Sequence, residues 1–222
     1  MRTIRLVVAA AGLTLGLAAC TSTGSTTAGP SPSTSGSATA DTSGAEGSLA
    51  GSCVVGNWKS TAFNLQVSAP GATGNATGGQ GVTVSITRDG ATVVNFTDMQ
   101  PVSFDANVGG AQIKGQFKYG GNVKGAVQVA STAAKSGTWK PVGPVDWSTA
   151  TVTLDMSSPV QGRLADNLKI SDFANSNGAQ TNGTVDPQPF LHEATYECAG
   201  DTLKIGPAPG STVGGTWILA KA

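Results

Sequence analysis

The sequence predicts an all-β protein built as an antiparallel up-and-down β-barrel, with a two-sheet β-sandwich as the alternative. Of its 222 residues, 31 are glycine and only 12% are charged, and its wealth of Val, Thr and Ser is typical of short strands joined by turns. Apolar and polar residues alternate repeatedly, whereas sustained helical periodicity is missing. Tight turns favour a meander, and closing a meander into a barrel removes its exposed edges.

The N-terminus has the layout of a secretory signal. Arg2 and Arg5 precede an apolar run over residues 6–17, which is shorter than the about 20 residues that span a bilayer. The run ends in Leu17-Ala18-Ala19-Cys20, which resembles the lipobox of bacterial lipoproteins. This resemblance implies removal of residues 1–19 and diacylglycerol on the Cys20 thiol. We therefore expect a lipid anchor on the outer face of the cell membrane; an ordinary secretory signal is the alternative.

Residues 20–52 are composed mainly of Ser, Thr, Gly, Ala and Pro, with Asp41 and Glu46 as their only charged residues. Such a segment buries too little apolar surface to offset the entropy of ordering, so we predict a disordered tether. Residues 53–222 have the length of one compact domain with a core.

Charge and histidine content exclude several classes of function. The signal contains two of the 13 basic residues and none of the 13 acidic ones, so the mature chain has 11 basic residues and a net charge of about −2. This balance argues against nucleic-acid binding. His192 is the only histidine, which excludes multi-histidine metal sites. We expect no enzyme, no metal and no cofactor, with haem ligation by His192 as a minor alternative.

The lipobox resemblance also bears on the cysteines. If Cys20 is lipidated, Cys53 and Cys198 are the two that remain, and in an oxidising compartment they should pair. The spacing is unlike a Cys-x-x-Cys redox motif, so the bridge should be structural.

Alternation predicts two hairpins. Around Arg88-Asp89-Gly90, a three-residue loop with a left-handed Gly90 sets Val82, Val84 and Ile86 beside Phe96, Val94 and Thr92. A second three-residue loop at Gly120-Gly121-Asn122 should join residues 112–119 to residues 123–129. Later strands are predicted at 150–156, 168–170, 194–198, 202–205 and 216–221, with a long loop over 171–188.

Gly56-Asn57-Trp58, at the start of the first predicted strand, resembles the signature of calycins and lipocalins. In that superfamily the Trp closes the barrel floor and a basic residue from the last strand lies over it. The resemblance implies a lipocalin-like barrel with Trp58, Trp217 and Lys221 at its floor, although the family has Arg where this chain has Lys221. The stretch from Cys198 to Leu203 is similar to actinobacterial surface lipoproteins with such a domain.

The inward faces of these strands suggest a ligand cavity, in which two glycines would supply volume. Our first hypothesis is a barrel that binds a small hydrophobic ligand such as an envelope lipid. The alternative is a solid barrel whose loops bind a protein or a cell-wall polymer. An apolar interior pocket of at least about 300 Å³ would distinguish them. The expected lining residues are Val84, Ile86, Phe96, Ile113, Gly115, Phe117, Gly125, Val127, Val152 and Leu154.

Overall fold

A computed structural model describes residues 48–172, 189–211 and 214–222. The signal, Cys20 and most of the tether lie outside the described residues, as does most of the predicted loop over 171–188. Within the described ranges, no helix is long and apolar enough to cross a membrane. The same ranges form 13 strands: β1 (Gly56–Ala69), β2 (Ala72–Gly78), β3 (Thr83–Ile86), β4 (Ala91–Asn95), β5 (Val102–Val108), β6 (Ala111–Gly120), β7 (Asn122–Val129), β8 (Ser136–Asp146), β9 (Thr151–Ser158), β10 (Gly162–Lys169), β11 (Ala194–Ala199), β12 (Thr202–Gly206) and β13 (Thr216–Lys221).

Eight strands close an antiparallel barrel. Around the barrel they follow the order β1, β3, β4, β7, β8, β11, β12 and β13, and β13 pairs with β1 again. Each barrel strand therefore neighbours the next barrel strand along the chain, as in an up-and-down meander. Trp58 lies between Lys221 of the last strand and Val84 of β3. The predicted fold class is confirmed, including the contact between the first and last strands that closure requires.

The other five strands are insertions between consecutive barrel strands, and they form a second sheet in the order β2, β5, β6, β9, β10. We call it the apron sheet. It continues from the second half of β1, because Phe63–Ala69 pairs with β2. Neighbouring barrel strands run in opposite directions, so the connections that carry β2, β5–β6 and β9–β10 all leave the same end of the barrel, the apron end. The opposite end is the floor end.

The predicted β3–β4 hairpin is confirmed. Thr87 accepts a hydrogen bond from the Gly90 amide, and Gly90 has a φ of 85°. Val84 faces Val94 and Ile86 faces Thr92, the register that the bulged loop predicts.

The second predicted hairpin is wrong. β6 pairs with β5 and β9, whereas β7 pairs with β4 and β8, so the chain crosses from the apron sheet to the barrel between them. The crossing lies at Gly121, which has a φ of 73° and accepts a hydrogen bond from the Phe96 amide. A Cβ there would be 1.9 Å from the carbonyl oxygen of Thr149. Gly121 is therefore needed where the chain passes closely from the apron sheet to the barrel, although its sequence context is typical of a turn.

Among the later strands, β9 and β11–β13 lie where the alternation predicts them, and β10 is longer than the predicted 168–170. Three strands, β2, β5 and β8, were not predicted. β2 contains only Ala, Thr, Gly and Asn, and it is ordered by pairing with β1 on one side and β5 on the other. β8 contains Pro141 and Pro144, and it tolerates them because its pairing with β11 is confined to residues 136–139. Its proline-containing half pairs only with β7.

The folded core begins before Cys53, the predicted domain boundary. Leu49 and Ser52 are buried, and the Leu49 amide donates to the Arg88 carbonyl in the loop between β3 and β4. The predicted disulfide between Cys53 and Cys198 is present and spans 145 residues of sequence. Both features lie at the floor end, so the described chain enters the barrel at the end opposite the apron sheet.

Candidate functional site

Side chains fill the interior of the barrel. The Trp139 indole donates from Nε1 to the Phe190 carbonyl over 2.9 Å, and the Phe190 ring lies 4.5 Å from Trp217 and 6.1 Å from Phe96, centre to centre. These partners come from β8, from β13 and from the residue after β4, so Phe190 lies inside the barrel toward its apron end. The same core contains fully buried aliphatic side chains, among them Leu191, Leu203, Ile205 and Leu219.

Sequence reasoning missed Phe190 and Leu191, because they lie in an irregular segment next to a predicted loop. Phe190 has a φ of 69°, a left-handed conformation that costs an ordinary residue on the order of 1–3 kcal/mol. Its complete burial offsets that cost. The sequence signal that could have identified them is the pair itself, because a loop rarely contains two adjacent large apolar residues unless they are buried.

The ten residues expected to line one cavity lie in two separate places, which corrects that prediction. Val84, Ile86, Phe96, Gly125 and Val127 belong to the barrel, whereas Ile113, Gly115, Phe117, Val152 and Leu154 belong to the apron sheet. They separate because β6 and β7 do not pair.

The two glycines do not supply empty volume either. A Cβ on Gly115 would lie 2.6 Å from Cζ of Phe104, and a Cβ on Gly125 would lie 3.1 Å from Cδ1 of Leu191. Neighbouring side chains therefore occupy the space above both glycines.

Aromatic contacts join the apron sheet to the barrel. The Phe117 ring of β6 lies 6.4 Å from Phe63 and 5.4 Å from Tyr119, and Tyr119 lies 5.3 Å from Phe96. All four side chains are buried. The inner face of the apron sheet thus shares a core with the apron end of the barrel, and its outer face is left to the solvent.

The barrel floor contains two of its three predicted residues. Trp58 is buried, donates from Nε1 to the Val54 carbonyl over 2.8 Å and pairs with Lys221. Trp217 pairs instead with Phe63, about 13 Å further along the strand. The floor prediction is therefore wrong for Trp217, which packs at the apron end, 4.8 Å from the Phe63 ring.

A groove of about 870 Å³ opens on the apron sheet, and we call it the apron groove. β5, β6, β9 and β10 contribute to it, together with the turn between β9 and β10. Its lining is about equally polar and apolar. Phe104 and Met156 belong to it, although their side chains alternate with those of Ser103 and Asp155 and face the other side of the sheet. The lining residues are Ser103, Phe104, Lys114, Gly115, Gln116, Asp155, Met156, Ser157, Gln161, Gly162 and Arg163.

Strand register aligns four of these side chains across the sheet. Ser103 faces Gln116, Gln116 faces Asp155, and Asp155 faces Arg163. Arg163 donates from Nε to Oδ1 of Asp155 over 2.7 Å and from a terminal nitrogen to Asp166 over 3.2 Å. Gln116 donates to the other oxygen of Asp155 over 3.5 Å. The result is a row of planar polar groups held in place by one another.

The ion pairs set the electrostatics of this row. The hydrogen bond from Arg163 lowers the pKa of Asp155, and Asp155 in turn raises the pKa of Arg163. Beside them, Lys114 lies 3.0 Å from Asp105. Each cation of the groove thus has a carboxylate partner, so the groove offers hydrogen-bond donors and acceptors with little net charge.

Sequence reasoning placed Lys114 and Gln116 on the polar side of the alternation and weighed Arg163 as a contact for a ligand head group against a plain exposed charge. It did not connect the members of the row. Within the described residues, no group of three or more His, Cys, Asp or Glu side chains is placed to hold a metal ion. The single histidine, His192, lies just before β11 next to Glu193, which pairs with Lys140 over 3.3 Å.

Comparison of the chain with known protein families, with curated proteins and with solved structures gives no match.

Proposed function

We propose that this protein is a lipid-anchored surface interaction module whose apron groove binds an uncharged, polyhydroxylated polymer of the cell envelope. The observation that carries the proposal is the contrast between the barrel interior and the apron groove. In the described part of the chain, packed side chains such as Phe190 and Leu191 occupy the barrel interior, whereas the apron groove is open and contains a row of polar side chains. Binding is therefore assigned to the outside of the molecule.

A hydrophobic ligand inside the barrel would have to replace side chains that are already buried. Displacing Phe190 and Leu191 would expose two large apolar groups, at about 1.5–3 kcal/mol each. It would also move the carbonyl that accepts the Trp139 hydrogen bond, and an unmade buried hydrogen bond costs about 1–3 kcal/mol. These costs favour the solid-barrel hypothesis over the carrier hypothesis.

The chemistry of the apron groove favours a ligand rich in hydroxyl groups. A sugar hydroxyl both donates and accepts hydrogen bonds, and the row supplies donors from Gln116 and Arg163 next to acceptors on Asp155 and Ser103. Because Arg163 and Lys114 already have carboxylate partners, a strongly charged polymer gains little. The volume of about 870 Å³ lies within the usual range of ligand pockets, about 300–1,000 Å³.

The position of the groove suits a tethered protein. The chain enters the barrel at the floor end, and the 14 residues of β1 extend from there over about 45 Å to the apron sheet. The tether is therefore attached at the end of the barrel opposite the apron groove, so anchoring through Cys20 would leave the groove accessible. This arrangement supports a polymer of the wall as the ligand.

The test is binding of neutral envelope polysaccharide to an unlipidated chain that begins at residue 20 and carries Cys20→Ser. We expect Arg163→Ala and Gln116→Ala each to weaken binding about tenfold, the loss expected for one or two polar contacts. Lys204→Ala is the matched control, because Lys204 forms a similar exposed pair with Glu197 on the barrel. Absence of binding to any neutral glycan, or an equal loss in the control, would contradict the proposal.

The anchor has its own test. In a bacterial host, the natural chain should fractionate with membranes and yield an N-terminal peptide bearing diacylglycerol on Cys20 by mass spectrometry. The Cys20→Ser chain should lose this modification and leave the membrane fraction, because one protein surface without acyl chains has no comparable affinity for a bilayer. Membrane retention of the Cys20→Ser chain would argue against the lipid anchor.

A further inference from the structure

The apron sheet has two edges, and one of them is unusually regular. β1 pairs with β13 only as far as Asn64, but its pairing with β2 continues to Ala69. Within residues 48–172, 189–211 and 214–222, no strand pairs with the other side of residues 65–69. We call this side of residues 65–69 the open edge. Among the described residues, the backbone groups along it have no strand partner and are available to another strand.

The opposite edge of the sheet is protected against strand addition. β10 has two register shifts, one between Arg163 and Ala165 and one between Ala165 and Leu168, and Asn167 has a φ of 48°. Its sequence also carries Arg163, Asp166 and Lys169. Bulges and charges are the usual means by which proteins prevent edge strands from pairing with other chains.

The open edge has neither kind of protection. The segment Leu65-Gln66-Val67-Ser68-Ala69 contains no charged residue and no proline, and its pairing with β2 has no register shift. Leu65 and Val67 face the apolar side of the sheet, while Gln66 and Ser68 are exposed. One edge of the sheet is thus regular and uncharged, whereas the opposite edge is protected. This contrast indicates that the open edge binds a partner.

A second groove, of about 400 Å³, lies over the polar face of β1 and β2 and adjoins the first residues of the open edge. Its lining residues are Asn64, Leu65, Gln66, Asn75, Thr77, Gly214 and Thr216.

We propose that the open edge binds an extended segment of another protein, which adds a strand to the apron sheet. The partner segment is uncharged and alternates apolar residues on the side of Leu65 and Val67 with polar residues on the side of Gln66. This site is separate from the apron groove and does not depend on the function proposed for it.

A second copy of the chain fits the open edge less well. Antiparallel pairing of two identical edges related by a two-fold axis would point the two floor ends in opposite directions. Both floor ends lead to the residues that carry the tether, so one membrane could not hold both copies without bending one tether back past its own barrel. A segment of a different protein has no such constraint.

The test uses the Cys20→Ser chain from residue 20 and a fluorescent peptide of about eight residues in which threonine and valine alternate between terminal lysines. We expect saturable binding by fluorescence anisotropy, with slowed amide hydrogen exchange in residues 64–69. The control peptide has the same side chains but N-methylated interior amides, and it should bind at least about tenfold more weakly because its donors are missing. Equal binding of the two peptides, or no binding at millimolar peptide, would overturn the proposal.

Two protein variants locate the site. Neighbouring residues of a strand direct their backbone amides to opposite edges. One of the variants Gln66→Pro and Val67→Pro therefore removes an N–H group on the open edge, and the other removes an N–H group that donates to β2. The variant that keeps the wild-type free energy of unfolding should lose peptide binding. Arg163→Ala should bind the peptide like the wild type, which separates this result from any failure of glycan binding. If both proline variants unfold, the comparison of the two peptides still tests whether binding depends on backbone hydrogen bonds. Peptide binding that Arg163→Ala abolishes would also contradict the proposal.

Discussion

The barrel and the apron sheet are made of the same kind of strand, yet they use their surfaces differently. The barrel closes on itself and fills its interior with Phe96, Trp139 and Phe190, so it has neither free edges nor an obvious interior site. The apron sheet is built from insertions that leave one end of the barrel, and it keeps an outer polar face, a groove and an open edge. Closure thus concentrates stability in one region, and our proposal assigns recognition to the other.

The largest difference should appear when one apolar side chain is truncated in each region. Phe190→Ala should lower the free energy of unfolding by about 3–5 kcal/mol, because it removes a fully buried ring from inside the barrel and leaves a cavity. Leu164→Ala is the control on the apron sheet; its side chain is 64% exposed, and the change should stay within about 0.5 kcal/mol. Urea denaturation of both variants measures the difference. A small effect of Phe190→Ala would mean that the barrel interior is not tightly packed.

A smaller difference is expected between two glycines with left-handed backbones. Gly121→Ala should destabilise the chain by more than about 2 kcal/mol, since its Cβ would meet Thr149 at 1.9 Å where the apron sheet joins the barrel. Gly109→Ala has the same conformational cost, about 1 kcal/mol, but no atom lies within 4 Å of its Cβ. Thermal or urea unfolding compares them. Equal losses of unfolding free energy in the two variants would indicate that the chain at Gly121 does not pass as close to Thr149 as described.

These glycines also explain how far the sequence could predict the fold. Alternation identifies which residues of a strand share a face, and it correctly places the β3–β4 hairpin and the last three strands. It does not identify the partner strand, so Gly120-Gly121-Asn122 was interpreted as a hairpin turn although the chain there passes between two sheets. β2 could not be predicted, because it has no β-branched residue other than threonine and is ordered by its neighbours.

The candidate site was less predictable than the fold, for a related reason. Lys114 and Gln116 are recognisable as solvent-facing residues from the alternation in β6. Their alignment with Asp155 and Arg163 depends on the pairing of β6 with β9 and of β9 with β10, which is determined by tertiary contacts. Phe190 shows the same limitation in the barrel, since its central position depends on side chains from three distant strands.

The smallest expected effect concerns titration in the apron groove. Arg163 lowers the pKa of Asp155 from its usual 3.8. The ion pair therefore stabilises the folded state fully above the usual pKa of the carboxyl, and this stabilisation is lost as the pH falls through the lowered pKa. The side chains are exposed, so the effect on stability should be slight. NMR titration of the Asp155 carboxyl should give a midpoint below 3.8, and Arg163→Ala should raise it. If the midpoint does not respond to Arg163→Ala, Asp155 and Arg163 do not form an ion pair in solution.

NMR mapping of ligand contacts tests the contrast between a solid barrel and a binding sheet most directly. The unlipidated chain would be titrated in parallel with a neutral envelope oligosaccharide and with an apolar probe such as a fatty acid. The proposed function predicts that the oligosaccharide shifts resonances along β5, β6, β9 and β10, and that neither ligand shifts the indole of Trp139 or the ring of Phe190. Saturable shifts of Trp139 and Phe190 with the fatty acid, and none in the apron groove with the oligosaccharide, would contradict it.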